Sequence, residues 1–284
     1  MLVHVAALSF LFFSVQSFTI KDSLKKFNRH SGNTPADEDY SVSTLIERAN
    51  VNVGKNQNEP LVMFGDIAIP TGLQNADACT RDRCRWPKAM DGFVYVPYRI
   101  SRAYSGRERQ TIVNGLRSFA ASTCVRFTPL NGQRDFVDIQ SLSGCYSFVG
   151  RRGRGQVVSL SRQGCVFRQV IQHELLHALG FNHEQTRSDR DRHVRILFQN
   201  VISGMESNFI RLDTRNLGTP YDYTSVMHYG RFAFSKNGQP TIIPIPNGNA
   251  VIGQANRMSP IDIRRVNLLY DCRMYLRPNP ANNS

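Results

Sequence analysis

The sequence predicts an α+β fold, and three observations carry the prediction. Short runs with strand-like alternation cluster between residues 92 and 160, an amphipathic helix follows them, and beyond Gly180 the periodicity fades into loops that finish in a last helix. The expected architecture is an N-terminal mixed β-sheet carrying that helix, then a loop-rich C-terminal part closed by the final helix. At 284 residues and 41% hydrophobic content the chain can bury one large core or two small ones.

Taken in order, residues 1–17 (MLVHVAALSFLFFSVQS) form an apolar run too short to span a bilayer comfortably, with polar sequence beginning near Lys21. They are expected to be a cleaved signal peptide, which implies a secreted protein, secretory granules included as a route, with no membrane attachment afterwards. Residues 18–74 are polar and free of cysteine, the pattern of a prosegment or linker, with one short helix expected around Ser43–Asn50. From "CTRDRCRWPK" (79–88) onward the chain reads as one compact unit. "GFVYVPYRI" (92–100) alternates as a strand does. Ser105 and Glu108 form a capping box for a helix whose Ile112, Leu116 and Phe119 make an apolar stripe. Strand-like runs follow at Val125–Thr128, Phe136–Ser141 and Val157–Leu160. The next helix is expected from about Val166 to Leu179, with Gly180 as its left-handed cap. Ser259 as N-cap, Pro260 behind it and Asp262 near the third position announce the final helix, expected to run into Tyr270 and Cys272.

The net charge of +13 is placed unevenly, because residues 75–284 hold 29 Lys and Arg against 15 Asp and Glu, and only Lys88 and Lys236 are lysines. An Arg-rich surface suits planar contact with carboxylate, sulfate or phosphate groups, so an acidic envelope or matrix surface is one expected partner; plain solubility explains the charge equally well. No nucleic-acid-binding motif stands out, and no nucleic acid is expected as a partner. Six cysteines, all between Cys79 and Cys272, fit disulfides in an exported chain, and six allow fifteen pairings.

The chemistry concentrates in residues 173–185, "HELLHALGFNHEQ". Positions i and i+4 share a helix face, so His173 and His177 can offer two imidazoles to one metal ion. Glu174 lies about 100° round the helix, within reach of a water on that ion. Gly180 permits a sharp turn that brings His183 in as a third nitrogen, and three protein ligands leave Zn²⁺ open to water. With this chain's composition, the full pattern arises by chance on the order of one time in 10⁵. A solvent-facing histidine pair would leave Gly180 and His183 unexplained.

The long motif matches the metzincin signature, and "SVMHY" (225–229) supplies the methionine turn that accompanies it. "HELLHALGFNHEQTRSDRD" with "SVMHYG" resembles the astacin family, and the resemblance covers essentially residues 60–272. It implies a two-subdomain catalytic domain over residues 75–284, one zinc ion held by His173, His177 and His183, and Glu174 as general base. It implies Tyr229 as a fifth zinc ligand that swings off to stabilise the oxyanion, Met227 as packing beneath the metal, and Glu184 as the ion-pair partner of a mature N-terminus. Asn75 is the expected terminus, since "NADACTRDRCRWPK" resembles the start of mature fish hatching enzymes. "FGD" (64–66), by itself an ordinary turn, resembles the zymogen motif in which an aspartate, here Asp66, occupies the zinc position. The two bridges shared by astacins map to Cys124–Cys272 and Cys145–Cys165; Cys79–Cys84 resembles the extra pair of the six-cysteine hatching enzymes, or choriolysins. The resemblance also implies a monomer acting on extended protein or peptide substrates, an egg envelope among them, with the strand Gln156–Ser161 as the edge that pairs with substrate backbone. The competing reading is a catalytically idle, basic secreted protein that binds an acidic envelope or matrix.

Overall fold

The computed structural model describes residues 40–53, 60–69 and 84–276. The signal segment 1–17, Asn75, Cys79 and the sequon at Asn282 lie outside the described residues. The first element among the described residues is α1 (Val42–Ala49), whose N-cap Ser41 accepts a hydrogen bond from the Thr44 N–H, followed by the hairpin of β1 (Leu61–Met63) and β2 (Ile67–Ile69). The larger part follows with β3 (Val94–Ile100), α2 (Gly106–Ser118), β4 (Val125–Pro129), β5 (Phe136–Gln140), β6 (Cys145–Ser147), β7 (Gly155–Leu160) and α3 (Arg168–Ala178). The capping box read from the sequence, Ser105 with Glu108, opens α2, and the expected N-cap Ser259 forms a second box with Asp262 at the start of α4 (Pro260–Leu269).

The strands make one seven-stranded mixed sheet in the order β1-β2-β6-β7-β5-β3-β4. Strands β3, β4, β5 and β7 run parallel to their neighbours among themselves, while β6 turns back antiparallel to β7. Consequently β7 has a partner on both sides, and the strand expected to lie at the edge does not. Within residues 84–276 the sheet ends at β4 on one side and at β6 on the other; β6, with three residues, is too short to show an alternating pattern, and β2 pairs with it in parallel through Ile67 and Ser147.

Val94, Val96, Val137, Ile139, Val158 and Leu160 turn one set of alternate side chains into a core completed by Ile112, Leu116 and Phe119 of α2 and Val170, Ile171 and Leu175 of α3. Burying each of the larger side chains contributes about 1.5–3 kcal/mol. Helices α2 and α3 approach closely at Gly115, where a Cβ would lie 2.5 Å from Ile171 Cγ2. A second, smaller core forms after α3 around Val194, Val201, Phe209, Tyr221, Tyr229 and Ile242, with the two-stranded sheet of β8 (Val194–Ile196) and β9 (Ile242–Pro244) and several single turns of 3₁₀ helix. These two cores are the two subdomains.

Helix α4 ends at Leu269, three residues before Cys272, because Asp271 takes a left-handed φ of 48°; a four-residue helix α5 (Arg273–Leu276) follows. Cys124–Cys272 ties this end back to β4, and Cys145–Cys165 ties β6 to the approach of α3. On the chain-entropy account closing such loops contributes about 3–5 kcal/mol each. Cys84 is also disulfide-bonded, and its expected partner Cys79 is outside the described residues. No helix among the described residues is long and apolar enough to cross a membrane.

Candidate active site

Helix α3 is buried along almost its whole length, so its polar residues must find partners inside the protein. Its C-terminal carbonyls are met from outside the helix. Trp86 Nε1 donates to Ala178 O at 2.9 Å, the Tyr270 hydroxyl to Leu179 O at 2.9 Å, and the Gly150 N–H to His177 O at 2.8 Å. Gly180, at φ 107°, then turns the chain so that His183 comes back beneath the helix just ahead of a 3₁₀ turn over Glu184–Thr186.

Three imidazoles converge with one carboxylate. His173 Nε2 lies 2.9 Å from Asp66 Oδ2, while His177 Nε2 and His183 Nε2 lie 3.3 and 3.0 Å from Asp66 Oδ1. All four side chains are buried, and their ligating atoms fall within 4.8 Å of one another. His173 Nδ1 donates to Val226 O and His177 Nδ1 to Phe181 O, each at 2.7 Å, so the protons of both rings sit on Nδ1. The two Nε2 lone pairs then face each other at 3.1 Å. Lone pairs at that distance repel, and Asp66 Oδ1 and both nitrogens of His183 have no hydrogen-bond partner. A cation at the centre of the group resolves both problems, and three neutral imidazole nitrogens with one carboxylate oxygen suit zinc. Burial alone would raise the Asp66 carboxyl; the imidazoles, His183 foremost, hold it well below its ordinary value. Burial pushes His183 down to about 4 against the pull of Asp66.

Glu174 points into the same buried space with neither carboxylate oxygen hydrogen-bonded. Burial, and secondarily the charge of Asp66, push it well above the ordinary carboxyl range, the condition of a group that can take and return a proton. Met227 is buried in the larger core, and its carbonyl accepts from the Glu184 N–H at 3.0 Å. Tyr229 belongs to the smaller core, whereas His173 and His177 stand on α3, which packs in the larger one. The tyrosine hydroxyl donates to the carbonyl of Phe64 in a short hydrogen bond. The Phe64–Asp66 turn thus engages the Tyr229 hydroxyl.

Glu184 is held by internal partners. Its two oxygens are held by Arg265 at 2.5 and 2.9 Å, with the Asp222 N–H at 2.6 Å and Arg187 at 3.4 Å completing the set. An internal guanidinium, with Asn75 still inside the chain, occupies the carboxylate expected to meet a terminal ammonium. Arg265 was overlooked in the sequence, although helical periodicity puts it in line with Asp262 and Leu269 on the inner stripe of α4, where a charge needs a partner. Asn50 is the other residue that sequence reasoning missed. Its side-chain amide accepts from Cys145 N–H and donates to Cys145 O, both at 2.7 Å, as a neighbouring strand would, and donates also to Gly65 O at 2.8 Å. Nothing in the polar run around Asn50 marks it out. Segment 40–69 thus covers the edge of β6 at Cys145 through Asn50 and at Ser147 through Asp66 O, 3.0 Å from the Ser147 N–H.

The family model of astacin, a peptidase family, matches residues 79–271. The chain is 48% identical over 255 residues to the low choriolytic enzyme of Oryzias latipes, covering 88% of this chain and 92% of that one. It is 48% identical over 212 residues to the astacin-like metalloendopeptidase of Mus musculus, covering 73% of this chain and 47% of that one. Among solved structures it resembles high choriolytic enzyme 1, a hatching enzyme zinc-protease from Oryzias latipes (medaka fish), at 52% identity and a TM-score of 0.67, over 70% of this chain and 100% of that one. Sequence, fold and the histidine cluster agree with these likenesses: the chain belongs to the astacin family and is a metalloendopeptidase.

Proposed function

We propose that this chain is the zymogen of a secreted zinc endopeptidase, held latent by Asp66 and acting on extracellular protein of the egg-envelope kind. The observation that carries the reading is the convergence of the Asp66 carboxylate on His173, His177 and His183. His173, His177 and His183 would hold one zinc ion, which supplies Lewis acidity that brings water toward ionisation at neutral pH and polarises the scissile carbonyl. Glu174, unpaired and buried, takes the proton of the attacking water and delivers it to the leaving amine. Tyr229, released from Phe64, turns its hydroxyl to the oxyanion. Extended substrate would pair with β6 at Cys145 and Ser147 once Asn50 and Asp66 have gone. Cleavage between Gln74 and Asn75 would free the site, and the new ammonium of Asn75 would join Glu184 beside Arg265. The egg-envelope substrate is supported by the names of the relatives, which are choriolytic and hatching enzymes, and a monomer, an acidic matrix surface as partner and an extracellular location belong to the same proposal.

The test is Asp66→Ala in the full chain. Hydrolysis of a denatured protein substrate should appear without removal of residues 18–74, at least about tenfold above the uncleaved wild type. Activity equal to the uncleaved wild type would contradict latency through Asp66.

A further inference from the structure

Asp262 reads from the sequence as the capping residue of α4, and it fills that role, yet its carboxylate does more than the cap requires. Oδ2 accepts from the Ser259 N–H, which is the capping box, and also from the Val226 N–H, both at 2.9 Å. Oδ1 accepts from the Ser225 hydroxyl at 2.6 Å. Ser225 Oγ in turn accepts from the Met227 N–H at 3.0 Å. That N–H belongs to the same peptide group as the Val226 carbonyl, and the Val226 carbonyl receives the His173 Nδ1 proton at 2.7 Å. A continuous chain therefore runs from carboxylate to hydroxyl to peptide to imidazole, and every residue in it is buried.

We propose that Asp262 is a positioning residue for His173: through Ser225 and the Val226–Met227 peptide it fixes and polarises the carbonyl that holds the His173 Nδ1 proton. The inference rests on the reading of His173 as a zinc ligand. An imidazole that ligates a metal through one nitrogen is oriented by the hydrogen bond at the other, and a carboxylate there makes the ring a stronger donor. Here the carboxylate acts from three hydrogen bonds away. Each bond points the same way, with the anion at the far end drawing protons toward itself, so each group becomes a better acceptor for the next. The Val226 N–H bond to Oδ2 holds the other side of the turn, so the carbonyl cannot rotate away from His173. Burial, with Asp222 adding to it, raises the Asp262 carboxyl above its ordinary value, while the Ser225 hydroxyl and the Ser259 and Val226 N–H groups, at the N-terminus of α4, favour its charged form. The final helix thereby grips the methionine turn and, through it, His173 on α3, with Val226, Met227 and Val266 packed in the same larger core.

A purely structural cap and this relay are separated by variants of the full chain loaded with zinc. Asp262→Asn turns one acceptor into a donor and breaks the relay. Ser225→Ala removes the relay hydroxyl and leaves the cap; Ser259→Ala removes the cap hydroxyl and leaves Asp262 on Ser225 and Val226. Zinc transfer to a chromogenic chelator, and the visible spectrum of the cobalt(II)-loaded protein, are read for each. Asp262→Asn should release zinc at least about tenfold faster than wild type and shift the cobalt bands. Ser225→Ala should move in the same direction, and Ser259→Ala should release at the wild-type rate despite a lower unfolding midpoint. If Asp262→Asn does not fold, the contrast of Ser225→Ala with Ser259→Ala decides alone. Equal release rates in the relay and cap variants would overturn the relay while leaving the zinc reading intact. A wild-type chain that takes up no zinc would overturn the zinc reading and the relay with it.

Discussion

At the scale of single residues, the backbone carbonyls that His173 and His177 meet decide what their rings can do. Val226 O and Phe181 O take the Nδ1 protons, and the Nε2 lone pairs are left facing one another and Asp66. Glu174, one residue along the helix, has no such partner, and burial keeps its carboxyl well above its ordinary range. Replacing it with Gln keeps the shape and removes the base. Glu174→Gln in the form beginning at Asn75 should lower kcat by about 10²–10⁴ with its thermal midpoint close to wild type. Retention of kcat would show that another group carries the proton. The histidines and Glu174 were legible because their spacing is a property of one helix and one turn. The carbonyls that orient them were not, since Val226 lies 53 positions from His173 and any residue type could supply that oxygen. The same limit applies to Glu184, whose visible role depended on a motif while its partner Arg265 stands 81 positions away.

Among elements, the sequence marked the helices by their caps and inner stripes, and α1, α2, α3 and α4 lie within a few residues of their expected places. Sheet order was less accessible. A three-residue strand such as β6 carries no alternation, and it was β6, set between β7 and β2, that displaced the expected edge. The close approach of α2 to α3 rests on Gly115, where an added Cβ would also come within 3.1 Å of Ile171 Cβ. Gly115→Ala gains about 1 kcal/mol of helix propensity but overpacks the contact by about 1–3 kcal/mol, so the urea midpoint should fall. A raised midpoint would mean that α2 and α3 separate without cost.

Helix α1 docks on the smaller subdomain through Ser43, which accepts from the Gly230 N–H at 2.9 Å, and half-buried Glu47, which accepts from the Phe234 N–H at 3.1 Å. Burial raises the Glu47 carboxyl to about 7, with the Phe234 N–H and Arg48 pulling the other way. Docked Glu47 holds its proton more tightly than released Glu47. Its contribution to docking is therefore full below about 4.5 and lost as pH rises toward about 7. Hydrogen exchange of Val42–Ala49, corrected for intrinsic rates, should show more opening at about pH 8 than at about pH 5. Glu47→Gln should flatten that difference, and an unchanged pH dependence in the variant would remove Glu47 as its source.

For the whole molecule, residues 40–53 and 60–69 touch both cores beside the histidine cluster. Asp66 reaches His173, His177 and His183, Phe64 engages Tyr229 of the smaller core, and Asn50 occupies β6 of the main sheet. On the proposed reading, removal of this segment would free the metal site, the oxyanion donor and the substrate edge together. The proposed mechanism depends on one zinc ion at His173, His177 and His183. The most direct measurement is metal analysis and hydrolysis of a denatured protein by the form beginning at Asn75, before and after complete removal of metal by chelation. About one zinc per chain is expected, with loss of hydrolysis when it is removed and recovery when zinc alone is returned. Hydrolysis that continues in the zinc-free protein would contradict a zinc-dependent mechanism at these three histidines.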